Sequence, residues 1–337
     1  MRVLVIGGTQ FVGRAVVEAY LARGDEVTIF HRGKTNPGLF DGVVNVLGDR
    51  DNASDLARIE GEFDVTFDSS AYVPRQVRSL AEALAGRGGH YVHVSSISVY
   101  APRTTRLDTE DAPVVTLEDP STEAVTGATY GGLKYLCEVA THAGFGPGGP
   151  SWNGAEPTIL RPTYVAGPFD HTYRFTWWVE RIARGGDVLA PGPASNPFQV
   201  IDVRDLADFV VARSGTPGGV FHVAGPPPPF TFGDFLNEVV AAVGPADTRL
   251  RWVDGDRLIA AGVRPGDLPL WEGPEEALSL LALDTRRARD AGLSTRALAE
   301  TINAVALHEQ RAPTTPRSKV GLGGEDEARI LADLADA

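Results

Sequence analysis

Tyr130 and Lys134, in the run Tyr130-Gly131-Gly132-Leu133-Lys134, stand four residues apart, so on a helix their side chains share one face. An ammonium beside a phenol stabilises the phenolate and lowers a pKa that is about 10 when unperturbed. A tyrosine so placed can exchange a proton with a hydroxyl or carbonyl close to neutral pH. With eight tyrosines, and only Lys34, Lys134 and Lys319 as lysines, chance supplies such a pair about 0.07 times per sequence. The run Val92-His93-Val94-Ser95-Ser96-Ile97-Ser98-Val99-Tyr100 adds a strand that leads into hydroxyl-bearing residues. A serine at a strand's carboxyl end, here Ser96, can hydrogen-bond a reacting oxygen and hold it for the tyrosine. Serines after strands are also ordinary turn residues, so Ser96 gains weight from its company.

These residues need a scaffold that brings strand ends and one helix face to a common crevice. Through residue 165 the sequence alternates short apolar runs with helical stretches. The pattern predicts strands at residues 3–6, 26–30, 43–47, 63–67, 91–94 and 158–160, and helices at 11–23, 53–60, 75–85 and 129–142. Such alternation implies an α/β fold, a doubly wound and mostly parallel sheet with helices on both faces. The Gly/Pro-rich run 144–150 reads as a surface loop.

Beyond residue 165 the alternation weakens, interrupted by Trp177-Trp178, Pro191-Gly192-Pro193 and four prolines from Pro226 to Pro229. The expected division is a dinucleotide-binding domain over 1–165 and a smaller, mainly substrate-binding region over 166–311. Segments 199–203 and 220–223 of that region are expected to rejoin the main sheet. Residues 312–337 form a turn-rich tail that ends in a short acidic helix over 325–336.

The first strand runs into Gly7-Gly8-Thr9-Gln10-Phe11-Val12-Gly13, which opens a helix. Small residues there let backbone N–H groups approach a pyrophosphate, and the helix N-terminus supplies partial positive charge. Without a ligand the same run is a tight strand-to-helix turn. After the second strand comes His31-Arg32-Gly33-Lys34, where an acidic residue would favour free ribose hydroxyls. Arg32, helped by Lys34, suits a 2′-phosphate and tips the expectation to NADP over NAD. Asp49, in Gly48-Asp49-Arg50, puts a carboxylate where an adenine amino group could bind.

The formal net charge of −13 lacks the electrostatic footprint of nucleic-acid binding. Cys137 is the lone cysteine, so no intrachain disulfide and no cysteine-based metal site can form, and it reads as a small buried residue on a helix. No leader-like segment precedes the first strand, and no run of apolar residues is long enough for a membrane span. The expected setting is cytoplasmic, with a small-molecule substrate, no nucleic-acid and no membrane partner. Oligomeric state is open, a homodimer being the commonest closed assembly.

As a set, these motifs resemble the extended short-chain dehydrogenase/reductase superfamily, in its NAD-dependent epimerase/dehydratase branch. The resemblance is carried by Gly7-Gly8-Thr9 with Gly13, Asp49, the segment 95–100, Tyr130 with Lys134, the segment 161–168 (Arg-Pro-Thr-Tyr-Val-Ala-Gly-Pro), and Ile201-Asp202-Val203-Arg204-Asp205. It covers about residues 1–210 and implies a Rossmann-type domain with a smaller C-terminal substrate domain. Tyr130 would be the acid/base, Lys134 would lower its pKa and hold the nicotinamide ribose, and Ser96 would orient the substrate oxygen. The implied cofactor shell is Gly7, Thr9, Gln10, Phe11, Val12, Gly13, Arg32, Asp49, Arg50, Ser70, Pro162 and Thr163, with Tyr130 and Lys134.

Departures from the family pattern narrow the chemistry. Gln10 replaces the loop's middle glycine, so its side chain must turn from the pyrophosphate or bind it. Ile97 and Ser98 stand where sugar-nucleotide dehydratases carry an Asp-Glu pair, so dehydration is not expected. Tyr164 replaces an asparagine usual in the epimerases, and Phe198 falls where they tend to place a phosphate-binding arginine. Arg174, Arg181 and Arg204 could compensate. The run 173–178 (Tyr-Arg-Phe-Thr-Trp-Trp) fits either an aromatic-walled pocket or core packing. The leading expectation is an NAD(P)-dependent oxidoreductase acting on a carbonyl or secondary alcohol. A nucleotide-sugar 4-epimerase with tightly held NAD, and a non-catalytic relative of the chloroplast stem-loop RNA-binding proteins, are the alternatives.

Overall fold

Val3, Leu4 and Val5 are fully buried, so β1 (Arg2–Ile6) is covered on both faces, as an unbroken apolar run in a parallel sheet requires. The computed structural model describes residues 1–101, 109–274, 281–311 and 320–335. Helix α1 (Phe11–Arg23) stops at Gly24, whose left-handed backbone (φ 87°) turns its N–H back onto the Leu21 and Tyr20 carbonyls. The first half continues through β2 (Glu26–His31), β3 (Val44–Leu47), α2 (Ala53–Leu56), β4 (Val65–Asp68), α3 (Pro74–Ala83), β5 (His90–Val94) and α4 (Tyr130–Phe145). The second half holds β6 (Thr158–Pro162), β7 (Tyr164–Ala166), α5 (Arg174–Ala183), β8 (Asp187–Pro191), β9 (Val200–Asp202), α6 (Val203–Arg213) and β10 (Gly219–Val223). It closes with α7 (Phe232–Val243), β11 (Arg249–Val253), α8 (Gly255–Ala260), α9 (Arg286–Asp290), α10 (Leu298–Arg311) and α11 (Gly324–Ala335).

The described residues build a seven-stranded sheet in the order β10-β6-β5-β4-β1-β2-β3, every pair parallel. Val5, Val16, Val17, Phe67, Leu206 and Phe209 fill one face, beneath α1 and α6. Leu4, Ile6, Val77, Leu80, Tyr91 and Phe145 fill the other, beneath α3 and α4. This is the doubly wound Rossmann-type architecture. A third core lies C-terminally, where Phe175, Trp178, Phe198, Phe235 and Ile302 join α5, α7 and α10.

Two expectations need correction, and one open alternative is decided. Segment 199–203 does not rejoin the main sheet: β9 pairs with β7 in a separate two-stranded ribbon, while β10 does return beside β6. Apolar patterning marks a buried strand but not its partner. Helix α4 runs past residue 142 to Phe145, whose ring stacks on Tyr91 with centroids 3.7 Å apart, so the Gly/Pro-rich run begins inside the helix. Trp177 and Trp178 are core residues, and the Trp178 indole donates to the Pro269 carbonyl at 2.5 Å. The tail reading over 312–319, and the last residues of the predicted acidic helix, lie outside the described residues. No helix among the described residues is long and apolar enough to cross a membrane.

Candidate active site

At the carboxyl end of β1 the chain turns onto α1 with no room to spare. A Cβ on Gly13 would sit 2.6 Å from the Gly8 nitrogen and 3.0 Å from its Cα, so the helix packs directly on the loop. Asn36 pins the loop from outside, donating from Nδ2 to the Thr9 carbonyl at 2.8 Å. Gln10 takes extended backbone (φ −144°, ψ 137°) as the cap residue of α1, and it is exposed, which is how a side chain is accommodated at the middle glycine's position.

Above this turn lies a cleft of about 450 Å³. Gly7, Thr9, Gln10, Phe11, Val12, Gly13, Arg32, Asp49, Arg50 and Ser70 all line it, together with Lys34, Tyr72 and His171. At its far end Arg32 and Lys34 are exposed. His31 beside them accepts from Gly33 N–H at Nδ1 (3.3 Å), so its Nε2 carries the proton and donates to Asn45 Oδ1 at 2.8 Å.

Arg50 lines the cleft while its guanidinium is gripped by a buried carboxylate. Nη1 and Nη2 grip the two oxygens of the fully buried Asp68 at 2.7 and 2.8 Å, and the same two nitrogens reach Ser70 Oγ (Nη1, 2.8 Å) and the Gln76 carbonyl (Nη2, 3.3 Å). Asp68 also accepts from the Tyr91 hydroxyl at 2.8 Å. Burial alone would raise the Asp68 pKa, but the ion pair and hydrogen bonds with Arg50 hold it below the usual carboxylate range. Arg50 is therefore a wall of the cleft rather than a hand reaching into it.

The catalytic end is set by a close approach. Any side chain on Gly131 would put Cβ 1.9 Å from the Ser98 carbonyl oxygen. Glycine lets the turn over Ile97–Val99 lie against the start of α4, and Ser96 thereby comes close enough to Tyr130 to act on its phenol. Ser96 Oγ accepts from the Ser98 N–H at 3.1 Å, as an ordinary turn serine does. Burial pushes the Tyr130 phenol above its ordinary value, while the Ser96 hydroxyl and the charge of Arg174 pull it the other way.

Lys134 is anchored to backbone carbonyls. Its Nζ is buried and donates to the Ala71 and Val94 carbonyls, each at 2.7 Å, and burial lowers its pKa. The Tyr72 ring lies over it, 5.8 Å from Nζ to centroid, and 6.4 Å from the Tyr130 ring. Cys137 is buried behind Lys134 with its thiol pushed up to about 11, chiefly by burial, as befits a packing residue.

The cleft fits a dinucleotide. The glycine cradle would be filled by a single Cβ at Gly13, and Thr163 Oγ1, next to Pro162 at the end of β6, is buried with no hydrogen-bond partner among the described residues. Pro162, Thr163, Tyr130 and Lys134 lie beyond the cleft's own lining. Lys134 is joined to it through Val94, which lines the cleft.

Among the arginines considered as phosphate ligands, Arg181 pairs with Glu327 at 2.5 Å and Arg204 with Asp202 at 2.6 Å. Phe198 is fully buried, stacked on Phe235 at 4.6 Å. Sequence reasoning missed Tyr72 and His171. Tyr72 follows β4 and was findable from the rule that strand carboxyl ends face the ligand. His171 comes from a segment bounded by Phe169 (φ 68°) and Tyr173 (φ 62°), left-handed backbone that no local pattern announces.

Fold and cleft together define a dinucleotide-binding domain of the extended, epimerase-like architecture. Residues 3–224 match the NAD dependent epimerase/dehydratase family, and the chain belongs to it. Its structure is similar to UDP-glucose 4-epimerase of Thermus thermophilus, solved with NAD (20% identity, 93% of this chain and 100% of that one, TM-score 0.61). It is likewise similar to UDP-glucose 4-epimerase of Thermotoga maritima, solved with UDP-glucose (17%, 93%, 100%, 0.68). A curated relative is the chloroplast stem-loop binding protein of 41 kDa b of Arabidopsis thaliana, 25% identical over 243 residues. That match spans 66% of this chain and 58% of the relative's length.

Proposed function

We propose that this protein is an NAD(P)-dependent oxidoreductase acting on a carbonyl or secondary alcohol of a small molecule, with Tyr130 as the acid/base. The observation that carries the reading is the packing of the start of α4 onto the Ser96–Val99 turn, which sets Tyr130 beside Ser96 and the cleft residue Tyr72, with Lys134 anchored to Ala71 and Val94 one helical turn on. A bound nicotinamide would supply or accept the hydride. Tyr130, its phenol raised by burial, holds its proton at neutral pH and gives it to the substrate oxygen that Ser96 positions. Lys134 has one N–H left after its two carbonyls, enough for a ribose hydroxyl. Thr163 Oγ1 supplies a further polar contact at that end.

Arg32 and Lys34 at the adenosine end support a preference for NADP over NAD. Replacing Arg32 by Ala should lower the NADPH-over-NADH ratio of kcat/KM by about 10- to 100-fold, the worth of a charge-assisted contact. Tyr130→Phe tests the central reading. General acid/base catalysis contributes about 10²–10⁴-fold, so turnover should fall by that factor while cofactor affinity stays within a few-fold. Turnover like that of the native chain would refute it.

The fold likeness to the two epimerases favours one second reading, nucleotide-sugar 4-epimerisation by the same three residues. It predicts tightly copurifying NAD and no net change in nicotinamide absorbance. Phe198, buried where those enzymes tend to place an arginine, speaks against it. The charge of −13 speaks against a nucleic-acid partner.

A further inference from the structure

We infer that Arg174 is an anion-recognition residue at the substrate end of the cleft, and that the natural substrate carries a carboxylate or phosphate near its reacting carbon. The inference deepens the oxidoreductase reading and rests on it. Arg174 opens α5, just beyond the ribbon strand β7 that continues from the carboxyl end of β6. Its guanidinium carbon lies 5.0 Å from the centroid of the Tyr164 ring, a cation–π contact that fixes the plane of the fork. Ser96 follows the carboxyl end of β5 and Tyr164 that of β6, neighbours in the sheet, while Tyr130 opens α4 against the Ser96 turn, so the Tyr164–Arg174 pair stands on the same side of the sheet as Ser96.

Arg174 lacks the carboxylate that holds four other arginines of the second half. Arg161 is held by Glu138, Arg181 by Glu327, Arg204 by Asp202 and Arg296 by Asp205, with contacts of 2.6, 2.5, 2.6 and 2.6 Å. Arg174 forms no ion pair among the described residues and is exposed, its Nε donating only to Thr172 Oγ1 at 3.3 Å. In a chain of net charge −13, a fork that forms no ion pair, though the buried Asp170 carboxyl feels its charge, is suited to a planar anion taken bidentately. The Tyr130 phenol already senses that charge. A neutral ligand would leave the fork without a partner, so charge becomes a criterion of specificity.

The test uses the NADPH-loaded protein and three probes of one shape: benzoate, phenyl phosphate and uncharged benzamide. Binding is followed by ligand-observed NMR for the native chain, Arg174→Gln, and Arg184→Gln, which removes the same charge at the far end of α5. The native chain and Arg184→Gln should favour at least one anion over benzamide, and Arg174→Gln should lose about 10- to 100-fold of that preference. Whichever anion shows the larger loss identifies carboxylate or phosphate as the recognised group. Equal binding of charged and neutral probes, an unchanged preference in Arg174→Gln, equal losses in both variants, or no binding at all overturns the inference. NADPH oxidation is scored separately on matched keto acids and keto esters. Arg174-dependent anion binding without turnover of any carbonyl would sink the oxidoreductase reading and leave the anion site standing. Turnover with no preference for the acid would do the reverse.

Discussion

The sharpest quantitative prediction concerns Arg50, a residue whose sequence position suggests cofactor binding and whose geometry assigns it to a buried ion pair. Arg50→Met keeps the length of the side chain and removes the charge. The fully buried Asp68 carboxylate would then keep Tyr91 O–H (2.8 Å) and Ser70 N–H (2.9 Å) but lose both guanidinium bonds. Breaking one half of such a pair costs about 3–5 kcal/mol. At roughly 2.1 cal/mol/K of unfolding entropy per residue, a 337-residue chain loses about 4–7 °C of Tm for that amount. Adding Asp68→Leu removes the stranded charge and should recover most of the loss, since apolar replacement of both partners is often near neutral. Calorimetry on the native chain, the two single variants and the double variant gives the coupling energy directly. In parallel, nicotinamide-cofactor affinity of the double variant should stay within about threefold of native, because the guanidinium is turned to Asp68. A Tm within 1 °C of native in Arg50→Met, with cofactor affinity down by about 10-fold or more, would show that Arg50 holds the ligand and that its assignment here is wrong.

Other consequences are equally open to measurement. Gly131→Ala drives a methyl into the Ser98 carbonyl and should lower kcat at least about 10-fold through displacement of Ser96, at an overpacking cost of about 1–3 kcal/mol. Gly127→Ala, where nothing lies within 4 Å, should be silent in the same kinetic and melting assays. His90 accepts from Gly215 N–H at Nδ1 and reaches Thr158 Oγ1 from Nε2, and burial, then the Arg213 charge, lowers its pKa to about 4. Its folded value lies below its unfolded one, so its stabilising effect is complete above about pH 6.5 and is lost as pH falls towards 4. Between pH 7 and 5 that amounts to about 2 kcal/mol, measurable by urea unfolding, and His90→Gln should flatten the slope. Cys137, buried with its thiol raised to about 11, should resist iodoacetamide in the folded state at pH 8 and react only on unfolding.

Features written into short stretches of sequence were readable in advance. The i, i+4 relation of Tyr130 and Lys134, the turn from β1 onto α1, and the parallel alternation through β6 each depend on a few adjacent residues, and the structure realises them. Relations between distant residues were not readable. Arg50 looks like a free cation until Asp68, eighteen positions on, is found within 2.7 Å. Lys134 reads as a partner for Tyr130, while its anchor, the Ala71 carbonyl, lies sixty-three positions away. The strand at 200–202 has apolar patterning that suits the main sheet and the small ribbon equally, and the choice rests on pairing with Tyr164 to Ala166. Gly131 reads as a poor helix former, and only the nearness of Ser98 explains it.

The two bonds of Lys134 have a consequence for ligand recognition. Val94 ends β5 and Ala71 follows β4, so one ammonium ties together the loose ends of two neighbouring strands. A lysine side chain free in solution has up to about 2 kcal/mol of rotamer entropy to lose when it is ordered. Here that loss falls on folding and is already complete before a cofactor arrives. The remaining N–H is therefore presented from a frozen tether, and the ends of β4 and β5 are pinned to each other by folding itself.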